Sequence, residues 1–168
     1  RAGKTSRLES GVLAMTPKRH GIQQLLDAAS AQAAPGAEAK AITLTVEPTD
    51  LTARFDPKWT AEALYNLVDN AVKYTPAGGA VTLRAVGYEL FCRVDVTDTG
   101  PGIPESEQAR IFQRFYRSPS ASEAEGVGIG LYLARQIAAG QGGYLKVSSR
   151  PGEGSTFSLF LPRAEGQP

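Results

Sequence analysis

Residues 56–98 read DPKWTAEALYNLVDNAVKYTPAGGAVTLRAVGYELFCRVDVTD, one helical period followed by two alternating ones. Asp56-Pro57 is a good N-cap and first helical residue. From Pro57 to Tyr74 a helix places Leu64, Leu67, Val68, Ala71 and Val72 on one arc. Thr75-Pro76-Ala77-Gly78-Gly79 stops it. Ala80–Val86 and Leu90–Asp98 then alternate apolar and polar residues around a tight link at Gly87-Tyr88, the pattern of a β-hairpin with one buried face. A helix with one apolar arc beside a hairpin with one apolar face predicts a helical layer on a sheet.

The flanking chain extends this pattern. Upstream, Arg1–Met15 reads as a polar helix, Thr16–Gly21 as a break, and Ile22 to about Ala33 as a second helix ending in the turn-forming APGAEAK. Ile42–Val46 and Leu51–Phe55 read as strands. Downstream, a turn at Thr99–Ile103 precedes a short helix opened by Pro104 and reaching Phe112. The polar stretch SPSASEAE, 118–125, has too few apolar residues to fold by itself and reads as a mobile loop. Gly126–Gly130 leads into a helix to about Ala139, and strands at Tyr144–Ser149 and Thr156–Leu161 close the domain. Strands come in pairs, not in βαβ alternation. The expected class is α+β: a two-layer α/β sandwich with a mixed, mostly antiparallel sheet and helices on one face.

A length of 168 residues suits one domain with a short appendage. Eighteen basic against 17 acidic residues give a net charge of +1 with neither sign gathered in a block, so no basic stripe invites nucleic acid. Cys92 stands in a strand pattern, where a buried reduced thiol is expected, and that fits a cytoplasmic setting. No apolar run approaches the roughly 18 residues of a membrane helix, so no direct membrane contact is expected of this domain. The chain begins at Arg1 without an initiator methionine, as a piece of a longer polypeptide would.

The chemistry starts on the polar side of the first helix. Glu62, Asn66, Asp69, Asn70 and Lys73 share it, and a plain solvated face would explain them. Asparagine is a poor mid-helix residue because its amide competes for backbone hydrogen bonds, so two of them at i, i+4 ask for a reason. Their carbonyl oxygens suit a hard cation such as Mg²⁺, and Lys73 suits its phosphates. Asp98 shares parity with Leu90, Cys92, Val94 and Val96, which turns a carboxylate toward the core, where it needs hydrogen bonds. Gly100 and Gly102 then let a flat ligand approach the backbone, although D-T-G-P-G by itself is also an ordinary turn. Gly126-Val127-Gly128-Ile129-Gly130-Leu131 opens a helix with bare N–H groups suited to phosphate. A Rossmann or protein-kinase reading fails, since a polar loop precedes these glycines where a strand should stand. Gly3-Lys4-Thr5 lacks the earlier glycine of a P-loop.

Taken in order, ALYNLVDNAVKYTP (63–76), DTGPGIP (98–104), IFQRFYR (111–117), GVGIGLYLAR (126–135) and GEGSTF (152–157) resemble the N, G1, F, G2 and G3 boxes of bacterial sensor histidine kinases. The resemblance covers about residues 16–162, and LESGVLAM (8–15) looks like the end of that family's second dimerisation helix. It implies a Bergerat-type ATP-binding fold with a flexible ATP lid, a catalytic domain over 16–163, the end of a dimerisation helix and linker over 1–15, and a tail at 164–168. It also implies the cofactors ATP and Mg²⁺. The implied partners are a histidine-bearing dimerisation domain of the same parent protein and a response regulator. The location implied is the cytoplasmic part of a membrane-bound sensor.

Carried over by motif, Asn70 resembles the Mg²⁺-coordinating residue, and Asn66 lies one turn earlier beside the phosphates. With Lys73, a phosphate contact, they form the implied catalytic set. Tyr74 resembles a residue lining the pocket. Asp98 matches the acceptor of the adenine amine, helped by Gly102 and, through water, by Thr156, with Gly100 and Ile103 in the same turn. Arg114 and Arg117 resemble phosphate contacts, and Gly126–Leu131 the junction of lid and helix. Phe112 and Phe115 serve equally well as core anchors. Gyrase-type relatives carry a glutamate at the position of Asn66. An amide there cannot act as a general base, which suits an enzyme that keeps ATP for transfer. His20 in TPKRHGIQQ matches no phosphoacceptor motif. An anti-sigma-type serine kinase and a nucleotide-binding regulatory module without transfer activity share these boxes and stand as alternatives.

Overall fold

The computed structural model describes residues 13–113 and 130–163. Along the chain run β1 (Lys18–Gly21), α1 (Ile22–Ala39), β2 (Thr43–Val46), β3 (Thr52–Phe55), α2 (Pro57–Tyr74), β4 (Ala80–Gly87), β5 (Phe91–Asp98), α3 (Glu105–Gln108), α4 (Gly130–Gly140), β6 (Tyr144–Ser149) and β7 (Ser155–Pro162). The main sheet has the order β2-β4-β5-β7-β6, with β2 parallel to β4 and every other neighbour antiparallel. A separate antiparallel pair joins β1 to β3. This is the expected α+β sandwich with a mostly antiparallel sheet.

One face of the sheet is the core. Val81 and Leu83 of β4, Cys92, Val94 and Val96 of β5, and Phe157, Leu159 and Leu161 of β7 lie in facing rows and are buried. The arc of α2 read from the sequence, Leu64, Leu67, Val68, Ala71 and Val72, is buried as well, and α2 packs between α1 and α4. Leu90 departs from the expected strand: it lies outside β5 and is 72% exposed. On the opposite face Asp95 is buried, but Ser158 Oγ donates to it at 2.7 Å and the Arg93 guanidinium lies 2.9 Å away, which offsets its desolvation. Tyr144 stacks on Phe160 there, with ring centroids 4.2 Å apart.

Three further expectations are corrected, and a fourth in part. The helix expected to end near Ala33 continues to Ala39 with Pro35 inside it. Pro35 sits on the exposed side, while Ala29, Ala33 and Ala37 extend the buried stripe of Ile22, Leu25 and Leu26, so packing carries the helix past its lost hydrogen bond. The break expected at Thr16–Gly21 contains β1, whose pairing of Lys18 with Phe55 and Gly21 with Thr52 comes from its partner and not from any alternation of its own. The short helix expected to reach Phe112 ends at Gln108 and gives way to turns. Of the helix expected over Arg1–Met15, residues 1–12 lie outside the described residues, and Leu13–Met15 are not helical.

The incoming chain is strapped to two helices. Asp56 caps α2 by accepting from Trp59 N at 3.0 Å through one oxygen, and from Thr16 N at 2.7 Å through the other. Trp59 Nε1 donates to Ala14 O at 3.2 Å, and Gln141, just past α4, accepts from Asp56 N and donates to Thr60 Oγ1. Asp56→Ala is therefore expected to cost about 2 kcal/mol of stability, cap and strap together, and Asp56→Asn, which can keep only one acceptor oxygen, about 1 kcal/mol. Denaturant titration followed by fluorescence of Trp59, the only tryptophan, measures both. Wild-type stability in Asp56→Asn would show that the Thr16 bond contributes nothing.

Candidate functional site

At the end of the sheet nearest Asp98 the core-facing rows turn polar. Register places Val81, Asp98, Ser155 and Ser149 in one row across β4, β5, β7 and β6, next to the apolar row of Leu83, Val96, Phe157 and Val147. Asp98 Oδ1 accepts from Gly100 N at 2.8 Å. Burial pushes the Asp98 carboxyl above the usual carboxylate range, and hydrogen bonds from the backbone of Gly100 and Ser155 pull it back part of the way. The result is a desolvated acceptor held by main chain.

Glycines bring the two neighbouring loops together. Gly102 has φ +81 and Gly154 φ +80; a Cβ would lie 2.1 Å from Arg150 O on the first and 2.2 Å from Asp98 O on the second. Gly152 N donates to Pro101 O at 2.6 Å across the same seam. A Cβ on Gly100 would stand 3.0 Å from Tyr74 O and 3.1 Å from Asp98 Oδ1, so the end of α2 closes on the carboxylate. Ile103 is fixed at both polar groups: its N–H donates to Ser149 Oγ at 2.8 Å and its C=O accepts from Gln108 Nε2 at 2.9 Å.

The polar side of α2 forms a second wall. Asn66 Nδ2 reaches Gly130 O at 3.4 Å, and a Cβ on Gly130 would lie 3.7 Å from the Asn66 side chain, which places the start of α4 beside the first asparagine. Asn70 lies one turn on, half-buried like Asn66 and Tyr74, and Leu131 follows Gly130, also half-buried. Lys73 Nζ is 3.1 Å from Asp69 Oδ2. Burial, the Asp69 charge and a hydrogen bond to Asp69 raise the Tyr65 phenol above its usual range against the opposing pull of Lys73. Lys40 donates to Val72 O at 3.0 Å and also to Lys73 O, so a cation neutralises the C-terminal end of α2.

The structure thus gathers Asp98, Gly100, Gly102, Ile103 and Tyr74 at the sheet end and sets Asn66, Asn70 and Lys73 along the polar side of α2, with Gly130 beside Asn66. Thr156 is not brought to Asp98. It points to the opposite face of the sheet, where its hydroxyl pairs with that of Thr97 at 3.0 Å. The hydroxyl on the face of Asp98 belongs to Ser155, which shares parity with Phe157, Leu159 and Leu161 and was legible by that count. Phe112 is buried edge-on against Phe157 with ring centroids 6.0 Å apart, as a core anchor. Arg114, Phe115, Arg117, the 118–125 loop, Gly126, Val127, Gly128 and Ile129 lie outside the described residues. Among the described residues no three His, Cys, Asp or Glu side chains group as a metal site, and no helix is long and apolar enough to cross a membrane.

Residues 55–165 match the family described as histidine kinase-, DNA gyrase B-, and HSP90-like ATPase. The chain belongs to this ATPase family. Its relatives include the adaptive-response sensory kinase SasA of Synechococcus sp. (strain JA-3-3Ab), 42% identical over 131 residues, 76% of this chain and 35% of SasA. The sensor protein DivL of Caulobacter vibrioides is 36% identical over 162 residues, 95% of this chain and 20% of DivL. The chain thus spans about a third of the first relative and a fifth of the second. Among solved structures, the mycobacterial sensor histidine kinase MprB superposes with a TM-score of 0.77 at 26% identity, over 89% of this chain and 99% of that one. Full-length ShkA in complex with AMPPNP superposes at 0.81 with 28% identity, over 96% of this ATPase-family chain and 35% of ShkA.

Proposed function

We propose that this chain is the cytoplasmic ATP-binding catalytic domain of a sensor histidine kinase. In this reading it binds Mg-ATP and passes the γ-phosphoryl to a histidine on a dimerisation domain of the same parent protein, from which a response regulator takes it. The observation that carries the reading is the desolvated Asp98 carboxylate, held by main chain at a sheet end where Gly100, Gly102 and Gly154 let the neighbouring backbone close in around it. It faces α2, whose Asn66, Asn70 and Lys73 line one side. The donor set suits the ligand. An ionised carboxylate only accepts, and so fits an exocyclic amine; two amides and a lysine fit a phosphate chain and a cation that keeps much of its water. Its similarity to SasA, DivL and ShkA, the last solved with AMPPNP, supports the sensor-kinase reading over the serine-kinase one.

Bound Mg-ATP supplies a γ-phosphoryl whose bond to the β-phosphate oxygen breaks as a bond to the acceptor nitrogen forms, leaving ADP. This chain's residues position it. Asp98 and the glycine loops fix the base, and Lys73, released from Asp69, meets phosphate charge. Asn70 offers its carbonyl oxygen to the cation. Asn66 bears an amide that cannot take a proton at neutral pH, so it does not activate water and the phosphoryl group is kept for transfer. Residues 1–15 supply the link to the dimerisation helix in this reading, and 16–163 the catalytic domain.

Incubation with labelled ATP tests it. The chain alone is expected to bind nucleotide and stay unlabelled, and a separately made dimerisation segment from the parent gene is expected to acquire acid-labile phosphate when added. Acid-stable phosphate on a protein partner would favour the serine-kinase reading. Label on the chain itself that disappears in His20→Ala would overturn the assignment; His20 stands in β1, its ring 5.4 Å from that of Phe55.

A further inference from the structure

We propose that Ser149 is a positioning residue for base recognition, acting on the Asp98 pocket without facing the ligand. This rests on the nucleotide-site reading above. Ser149 ends β6 in the same cross-strand row as Ser155 and Asp98, on the side of the sheet that faces the helices. A serine hydroxyl has one proton and two acceptor positions. Here all three are used: Oγ donates to Gly154 O at 2.9 Å, accepts from Ile103 N at 2.8 Å, and meets Ser155 Oγ at 2.8 Å, for which Ser155 is left as the donor.

Those three partners are the walls of the Asp98 pocket. Ile103 follows Gly102, whose Cα is packed on Arg150 O; Gly154 is packed on Asp98 O; and the backbone of Ser155 hydrogen-bonds the Asp98 carboxylate. One side chain therefore ties the loop after Asp98 to the loop before β7. Gln108 completes the tie, since its Nε2 donates both to Ile103 O at 2.9 Å and to Ser149 O at 3.0 Å. Without the Ser149 hydroxyl, the Ile103 N–H and the Gly154 carbonyl lose their shared partner, and the spacing between the loops is left to the Gly152-to-Pro101 bond and to Gln108, which holds only the Ile103 and Ser149 carbonyls. A carboxylate selects an amine over a carbonyl only while its direction is fixed, so the loss falls on base selectivity and not on the phosphate end of the site.

The test titrates ATP, GTP and inorganic tripolyphosphate, each with Mg²⁺, into wild type, Ser149→Ala, Ser149→Thr and Gln108→Ala by calorimetry. Ser149→Ala is expected to narrow the ATP-over-GTP ratio by about threefold to tenfold, the worth of one or two hydrogen bonds, and to leave tripolyphosphate affinity unchanged. Ser149→Thr, which keeps the hydroxyl, restores the ratio, and Gln108→Ala narrows it less than Ser149→Ala. An unchanged ratio in Ser149→Ala, or an equal loss for ATP and tripolyphosphate, would overturn the positioning role and leave the nucleotide reading standing. A wild-type chain with no preference for ATP would remove the base pocket itself, and Ser149's role with it.

Discussion

Asp98→Asn is expected to weaken ATP binding and to narrow the preference for ATP over GTP, which is expected in the wild-type chain at about tenfold to a hundredfold, the worth of roughly 1.5–3 kcal/mol for a hydrogen bond to a charged group. In the proposed site the ionised carboxylate would accept from the adenine amine and repel the carbonyl oxygen that guanine presents at the same place. An amide of the same shape rotates to donate to one or accept from the other. Acidification makes the same change reversibly. Because burial raises the folded-state pKa of Asp98 above its ordinary 3.8, the acceptor is lost on acidification before an ordinary carboxylate would titrate, and ATP affinity falls through that window. The sign for stability is opposite. A raised carboxyl pKa costs the fold stability above that pKa and returns it as pH falls toward 3.8, so this group's share of lost binding is not a share of lost folding. Calorimetric titration of ATP and GTP at neutral and acidic pH decides the matter. An ATP-to-GTP ratio that Asp98→Asn leaves unchanged would move the base pocket elsewhere.

The parts of this architecture that local chemistry specifies are legible in the sequence. The ends of α2 agree with the sequence at Pro57 and Tyr74, because Asp56 caps one end through Trp59 N and the TPAGG turn stops the other. The inward aspect of Asp98 followed from strand parity alone. What escaped was specified by partners. β1 is a strand because β3 lies beside it, and α1 passes Pro35 because Ala33 and Ala37 find a packing surface. Lys40 reaches the last carbonyls of α2 from 33 residues away in the chain, a pairing with no local signal. Thr156 shows the hazard of carrying a role by motif position: a shift of one residue along a strand crosses the sheet, and the neighbouring Ser155 holds the place beside Asp98. Parity would have corrected that assignment, since Ser149 and Ser155 fall on the apolar sides of their own strands.

Gly102→Ala is expected to cost roughly 3–4 kcal/mol of stability and to abolish measurable nucleotide preference, whereas Gly152→Ala is expected to cost about 1–2 kcal/mol and leave binding intact. The two glycines share a backbone conformation, φ +81 and φ +83, in which an L-residue is strained, so that part of the cost is common to both. They differ in room. A Cβ on Gly152 meets nothing within 4 Å, but one on Gly102 would lie 2.1 Å from Arg150 O and 2.7 Å from its carbon, backbone atoms that no rotamer change can clear. The turn after Asp98 would have to back away from the loop before β7, breaking the bonds from Ile103 N to Ser149 Oγ and from Gly152 N to Pro101 O, at about 1 kcal/mol each. Thermal unfolding and ATP titration of the two variants side by side separate the terms, because strain alone predicts equal losses and crowding predicts that only Gly102→Ala disturbs the site. If both variants lost equal stability and both bound ATP normally, the seam between these loops would not be what shapes the Asp98 pocket.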